Sequence, residues 1–184
     1  VAGRAFQPLA SEVLVAGEEG VPERVQAALC RMLARAAGHA GMAGGQAIDL
    51  ASVGLALDED SLRRMHRLKT GALLQGSVMM GAACGAATPQ AREALARYGA
   101  ALGLAFQVVD DILDVTADSA TLGKTAGKDA AQDKPTYVSL LGLERARGHA
   151  QELLQEALAA LAGSGLSDTR ALAALARMVV NRDN

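Results

Sequence analysis

Residues 106–114 read FQVVDDILD, and this stretch governs how the whole sequence is interpreted. On an α-helix Asp110 and Asp114 are one turn apart, and Asp111 lies about 60° from Asp114 on the other side. Gln107 precedes the first two aspartates by three and four residues, so it shares their face. Three neighbouring carboxylates repel one another, so they either form a solvated acidic face or share a cation. Apolar flanking residues disfavour the solvated face, and Mg²⁺, which takes oxygen ligands and often binds substrate phosphates, would relieve the repulsion.

The rest of the chain is predicted to be almost entirely helical. Apolar residues recur at helical spacing, and Gly and Pro separate the segments. We predict helices over residues 4–16, 23–52, 58–85, 88–115, 135–162 and 167–180, with a kink or close backbone packing near the Gly-rich residues 41–50 and a long functional loop over 116–133. Because no strand-like alternation and no internal repeat is visible, the sequence predicts a single all-α bundle.

Composition excludes several classes of function. The 184 residues are 51% hydrophobic but only 2% aromatic, so the core must be built from Ala, Leu, Val and Met. A net charge of −2 gives no electrostatic footprint for nucleic acid. The weakly charged run 71–88 contains Gly, Ala, Ser and Gln, which indicates a buried helix rather than a membrane span. Cys30 and Cys84 lie far apart in sequence, as expected of unpaired thiols in the cytoplasm.

Lysines accompany the carboxylates along the chain. Lys69 and Thr70 stand where a polar segment becomes apolar, and the loop TLGKTAGKDAAQDKPT presents Lys124, Lys128 and Lys134. Gly lets backbone N–H groups approach an anion, and Lys supplies a point charge for phosphate. Taken singly, these features also suit a lysine that extends to solvent and an ordinary surface loop. Together with the carboxylates and an apolar helical wall, they predict a site for a lipid-like diphosphate.

Five segments in this order resemble the trans-prenyl diphosphate synthase family, most closely its bacterial farnesyl diphosphate synthase group. They are GGQAIDL (44–50), HRLKTGALL (66–74), GLAFQVVDDILDV (103–115), TLGK (121–124) and DKPTY (133–137). The resemblance implies a Mg²⁺-dependent prenyltransferase with the all-α helical bundle of the isoprenoid synthases. It implies condensation of isopentenyl diphosphate with dimethylallyl or geranyl diphosphate to give farnesyl diphosphate.

The resemblance also implies roles for individual residues. Asp110 and Asp114 would bind Mg²⁺ bridged to the allylic diphosphate, with Asp111 supporting them. Lys69 and Lys124 would bind that diphosphate, and Thr70 and Gln107 would steady the developing allylic cation. Gln46 and Asp49 look like the polar pair that lines the family's cavity, and Lys134 would help to hold the closing loop.

The chain departs from the family in one large respect. The family carries two aspartate-rich motifs, and this sequence has only the second. We therefore expect residues 1–184 to be the C-terminal portion of one isoprenoid synthase domain, without its N-terminal helices and inactive alone. The resemblance further implies a cytoplasmic homodimer.

Two alternatives remain open at this point. A geranylgeranyl or longer polyprenyl diphosphate synthase would share all of these motifs, since product length is set largely in the missing half. A non-catalytic helical partner subunit of a synthase is an alternative of another class. Loss of the acidic or lysine residues would have favoured that subunit, yet all are present.

Overall fold

Every secondary-structure element in the computed structural model is a helix over the residues that it describes, which are 2–15, 21–85, 87–116 and 135–182. In chain order they are α1 (Ala2–Val15), α2 (Glu23–Ala37), α3 (Met42–Ala51), α4 (Glu59–His66), a π-helical segment (Arg67–Gly71, the π-turn), α5 (Ala72–Cys84), α6 (Pro89–Thr116), α7 (Tyr137–Leu141), α8 (Leu143–Ala162) and α9 (Arg170–Val180). The prediction of an all-α fold is confirmed.

Helix α6 is the central element, and it packs against α5, α8, α9 and the π-turn. Its buried side chains are mostly small: Ala91, Ala94, Leu95, Tyr98, Ala101, Leu102, Ala105, Val108, Val109 and Ile112. Small residues let neighbouring helices approach closely, so this core needs few aromatics. Burying each larger member, such as Leu102 or Val108, contributes about 1.5–3 kcal/mol.

Local signals explain where several helices begin and end. Asp58 caps α4 as predicted, and its side chain accepts a hydrogen bond from the Ser61 N–H at 2.8 Å. Helix α2 begins immediately after Pro22, which is its N-cap residue and whose carbonyl accepts the Val25 N–H at 2.8 Å. The predicted helix 23–52 is two helices, and the Gly-containing residues 38–41 separate them.

Two predicted boundaries are wrong. The segment 135–162 breaks at Gly142, whose φ of 80° ends α7 and precedes α8, because this left-handed conformation suits Gly. The last helix begins at Arg170 rather than after Ser167. There the Asp168 carboxylate accepts the Arg170 N–H at 2.9 Å, which favours a turn ahead of the helix.

Long-range hydrogen bonds fix α9 and the end of α8 against α6. The buried Tyr98 hydroxyl donates to the Leu172 carbonyl at 2.8 Å, and the Gln90 side chain donates to the Gly163 carbonyl at 2.9 Å. The end of α9 is buried at Val179 and Val180. The last described residues therefore return to the middle of the bundle.

Several large apolar side chains are exposed at the periphery of the bundle. Phe6, Leu9 and Val13 of α1 are exposed, with 64% of Phe6 accessible. A search of the described helices for one long and apolar enough to cross a membrane finds none. The apolar run that begins at residue 71 forms α5, which packs against α2 and α6.

Candidate functional site

Lys69 and Thr70 lie together in the π-turn. The sequence predicted an uninterrupted helix here, but residues 67–71 form a wider turn between α4 and α5. Single π-helical turns within α-helices are rare and occur often at functional sites. Both side chains are partly buried, so they are neither in the core nor freely solvated. The π-turn is thus the point from which the rest of the site is organised.

A glycine brings α3 against the π-turn. A Cβ atom placed on Gly45 would lie 2.1 Å from the backbone nitrogen of Lys69, so only Gly permits this approach. One helical turn later, the Asp49 carboxylate accepts a hydrogen bond from the Lys69 ammonium at 2.9 Å. The exposed fractions of the two side chains are 30% for Lys69 and 16% for Asp49. Because an ammonium has three donors, Lys69 keeps capacity for an anion while Asp49 fixes its position.

A second glycine brings α6 against the same turn. A Cβ atom on Gly103 would lie 2.7 Å from the Cα atom of Gly71. One turn later, the Gln107 side-chain oxygen accepts a hydrogen bond from the Thr70 hydroxyl at 2.8 Å. The hydroxyl proton is therefore directed at Gln107, and lone pairs of the Thr70 oxygen remain available to a positive charge.

Asp110 and Asp114 continue along α6, one turn apart. The Asp110 side chain is 49% exposed, and Asp114 is half-buried. The Arg182 guanidinium donates to Asp110 Oδ1 and, at 3.1 Å, to the Phe106 carbonyl. Its Cζ atom lies 4.1 Å from the centroid of the Phe106 ring, within cation–π range. A basic residue near the end of the chain thus contacts the aspartate motif directly.

Asp111 occupies a different environment from its neighbours. Only 3% of it is accessible, and its Oδ2 accepts the Tyr137 N–H at 2.8 Å. The same oxygen lies 3.8 Å from His66 Nε2, too far for a hydrogen bond. Asp111 thereby connects α6 to the start of α7 and the end of α4. Its geometry suits a supporting role better than direct metal ligation.

Aromatic side chains pack around Asp111. Tyr137 is fully buried, with its ring stacked on His66 at 5.7 Å between centroids and tilted against His149 at 5.5 Å. Burial, reinforced by the Lys69 charge and partly opposed by Asp49, lowers the pKa of His66 to about 4. Burial also raises the pKa of Tyr137 to about 12. Both rings are therefore neutral at pH 7, so the interior beside Asp111 carries no second charge from them.

The donor set fits magnesium with few protein ligands. Among the residues described, no three His, Cys, Asp or Glu side chains gather as a metal cage. Mg²⁺ does not require one, because it is usually held by one or two carboxylates together with waters and substrate phosphates. Asp110 and Asp114, about 5–6 Å apart at their Cβ atoms, offer such a pair.

The structure describes only some of the other predicted site residues. Gln46 is exposed on α3, one turn before Asp49. Lys124 and Lys134, predicted in the loop, lie outside the described residues, as does Lys128. The sequence interpretation assigned no role to His66 or Arg182. Arg182 lies two residues beyond Val180, the last residue of the predicted final helix. This position is the one sequence signal that could have identified it.

The chain is similar to known proteins over nearly all of its length. The family model described as polyprenyl synthetase matches residues 2–174. Farnesyl diphosphate synthase of Escherichia coli K12 is 46% identical over 188 residues, which cover 100% of this chain and 62% of that protein. The chloroplastic geranylgeranyl pyrophosphate synthase of Catharanthus roseus is 40% identical over 185 residues, covering 100% of this chain and 52% of the plant protein.

A solved structure extends the comparison to the fold. The Helicobacter pylori geranyltransferase in complex with magnesium and isoprenyl diphosphate superposes with a TM-score of 0.79 at 32% identity. The match covers 97% of this chain and 58% of that one. The present chain therefore spans somewhat more than half the length of these relatives.

Proposed function

The chain belongs to the polyprenyl synthetase family, and we propose that the intact protein condenses isopentenyl diphosphate with dimethylallyl or geranyl diphosphate to give farnesyl diphosphate. In this reaction the allylic C–O bond breaks and diphosphate leaves. The double bond of isopentenyl diphosphate attacks the allylic cation, a proton is lost to the released diphosphate, and each condensation lengthens the chain by five carbons, so that dimethylallyl diphosphate reaches farnesyl diphosphate through geranyl diphosphate. The higher identity to the E. coli farnesyl synthase than to the plant geranylgeranyl synthase supports this product.

We assign binding of the allylic diphosphate to the polar side of the π-turn. The Lys69 ammonium, oriented by Asp49 at 2.9 Å, donates to the diphosphate. Lys124 would add a second cation and Lys134 would hold the loop closed, while Gln46 would line the cavity beside Asp49. Asp110 and Asp114 would hold Mg²⁺, with Asp111 anchoring their helix through the Tyr137 N–H. When bound, the metal supplies electrostatic stabilisation of the leaving diphosphate.

Thr70 and Gln107 are proposed to stabilise the allylic cation. Donation of the Thr70 proton to Gln107 leaves the Thr70 oxygen with lone pairs for the positive carbon. Because the dipole is fixed before the reaction, little reorganisation is needed as charge develops. The intact site would have to exclude water, which would otherwise capture the cation.

One observation carries the proposal: the π-turn joins a lysine held by Asp49 to a threonine held by Gln107, one turn before Asp110 on α6. We would test it with Thr70→Val, which removes the hydroxyl and keeps the shape. We expect kcat to fall roughly ten- to hundredfold, with little change in KM for geranyl diphosphate. Lys69→Gln should instead weaken geranyl diphosphate binding by roughly tenfold or more, because a charged hydrogen-bond donor is lost.

Ser77→Ala is the matched control for the hydroxyl. Ser77 is exposed on α5, and within the part of the chain that the structure describes its hydroxyl donates to the Leu73 carbonyl, one turn back. Its loss should leave both constants unchanged. Thr70→Val turning over as fast as Ser77→Ala would contradict the assigned role of Thr70.

Product length separates the proposed activity from its closest rival. Radiolabelled isopentenyl diphosphate is supplied in excess with dimethylallyl diphosphate and Mg²⁺, and the dephosphorylated alcohols are resolved by chromatography. Farnesol as the end product supports the proposal. Geranylgeraniol or longer alcohols would assign the protein to the longer-chain synthases, and absence of any product would favour a non-catalytic partner subunit.

We also propose that the intact protein is a cytoplasmic homodimer. The exposed apolar side chains Phe6, Leu9 and Val13 of α1 support self-association as a homodimer. Light scattering coupled to size-exclusion chromatography of the intact protein would give its mass directly. The thiols of Cys30 and Cys84 are both free, which supports a cytoplasmic location.

A further inference from the structure

Arg182 engages a single turn of α6 through three contacts. Its guanidinium donates to the Asp110 carboxylate and to the Phe106 carbonyl, and it lies over the Phe106 ring. Asp110 and Phe106 are four residues apart, so the guanidinium covers the first turn of the aspartate motif. The Arg182 side chain is 26% exposed and Asp110 is 49% exposed, so the pair is only partly screened by water.

The packing of α9 holds Arg182 in this position. Val179 and Val180 are buried, and the Asn181 N–H donates to the Arg177 carbonyl at 2.9 Å, which closes the last turn. Farther back, Leu172 is tied to α6 through the Tyr98 hydroxyl. The packing of α9 therefore places Arg182 beside Asp110.

We propose that Arg182 is a built-in counter-ion of Asp110 which Mg²⁺ must displace, so that α9 sets the metal affinity of the site. The inference rests on the proposed function, in which Asp110 is a magnesium ligand. The guanidinium occupies Asp110 Oδ1, and a lone pair that binds a metal directly cannot also accept a strong hydrogen bond, so the two cations compete for that oxygen. The positive charge of Arg182 also repels an approaching cation. Both effects lower the affinity of the site for Mg²⁺.

The structure offers Arg182 a place to move. A cavity of about 370 Å³ lies beside it, between α6, α8 and the end of α9, and is lined in part by Thr116, Arg147 and Gln151. The Nε atom of Arg182 is buried and makes no hydrogen bond within the described part of the chain. Rotation into this space could pair that atom with water or Gln151, so release from Asp110 does not require opening the core.

Linkage makes the effect reciprocal. If docking of Arg182 weakens metal binding by a given factor, metal binding weakens the docking of Arg182 by the same factor. Loading the site should therefore loosen the end of α9. This gives the inference a readout that does not depend on catalysis.

The experiment compares Arg182→Gln with Arg177→Gln in the intact protein. Arg177 is an exposed arginine in the last turn of α9, five residues before Arg182, so each variant loses one positive charge from nearly the same place in the chain. Mn²⁺ is titrated without substrate, and the free ion is followed by electron paramagnetic resonance. We expect Arg182→Gln to bind Mn²⁺ roughly fivefold more tightly, about 1 kcal/mol, and Arg177→Gln to stay within about twofold of the unsubstituted protein. Hydrogen exchange of the Asn181 amide, which donates to the Arg177 carbonyl, should rise when Mn²⁺ is added.

Asp110→Asn separates the two levels of the argument. If this variant binds Mn²⁺ as well as the unsubstituted protein, or the unsubstituted protein shows no saturable binding, the proposed metal site itself fails. If Asp110→Asn weakens binding while Arg182→Gln equals Arg177→Gln, only the counter-ion role is wrong. Weaker binding in Arg182→Gln would likewise overturn that role, because Arg182 would then position the carboxylate for the metal.

Discussion

Replacement of Gly45 by Ala tests the backbone contact on which the site depends. The added Cβ would lie 2.1 Å from the Lys69 nitrogen and 2.4 Å from its Cα, whereas ordinary contacts begin near 3.4 Å. Both neighbours are backbone atoms, so no side chain can rotate away. Helix α3 must move by about 1 Å relative to the π-turn, and the Asp49–Lys69 pair must move with it.

Two opposing contributions determine the expected stability. Overpacking of this kind costs about 1–3 kcal/mol, and the rigid contact places Gly45 at or above the upper end. Ala is favoured over Gly in a helix by about 1 kcal/mol, which offsets part of the loss. We therefore expect Gly45→Ala to lower the free energy of unfolding by about 2 kcal/mol. Affinity for geranyl diphosphate should also fall, because Lys69 is displaced.

Gly81→Ala provides the matched control. Gly81 lies within α5, and a Cβ there would meet no atom within 4 Å. This variant should be up to about 1 kcal/mol more stable than the unsubstituted protein, with unchanged substrate affinity. Urea denaturation gives the unfolding free energies and calorimetry gives the affinities. Equal stability of the two variants would refute the close approach of α3 to the π-turn.

Further predictions concern protonation, a buried hydrogen bond and the relative weight of two site residues. His66 has a pKa of about 4 when folded, against its ordinary 6.5, so the unfolded chain binds more protons below neutrality. Stability should fall by about 2 kcal/mol between pH 7 and pH 5, and urea denaturation of His66→Gln should show a correspondingly smaller change. Tyr98→Phe removes the hydrogen bond to Leu172 and should lower the unfolding free energy by about 1 kcal/mol, whereas an unchanged denaturation midpoint would exclude that bond. In steady-state assays of the intact protein Asp110→Ala should reduce turnover far more than Lys134→Ala, and equal losses would contradict the proposed ranking.

Much of the fold could be predicted because local chemistry determines it. Asp58 and Pro22 are the N-cap residues of α4 and α2, and each acts on the start of its own helix. Gly142 was missed because a single Gly within a helical pattern is often tolerated, and only its positive φ identifies the break. The helix start after Ser167 was misplaced because Asp168 offers a competing side-chain acceptor one residue later.

The sequence singled out Lys69, Thr70 and Gln107 as candidate site residues, whose roles stay predictions, but it could not show the contacts that the structure gives them. Periodicity placed Asp111 near the other aspartates, and it cannot show that α7 arrives to donate the Tyr137 N–H. The pairing of Arg182 with Asp110 joins positions 72 residues apart, so no local pattern contains it. The π-turn is also invisible in RLKTG, because its residues suit an ordinary α-helix equally well.

The π-turn also determines which genetic changes the site can survive. A π-helical turn holds one residue more than the α-helical turn that it replaces. Removing Arg67 or Leu68 would return this segment to α-helical spacing, which would merge α4 and α5 and leave the orientation of α5 about its axis nearly unchanged. Lys69 would instead rotate relative to Gly71 and leave its present position beside Asp49, although each predicted site residue would still be present. The site therefore depends on the length of this segment as well as on its residues. Deletion of a single codon there would displace Lys69 without any substitution at a site residue.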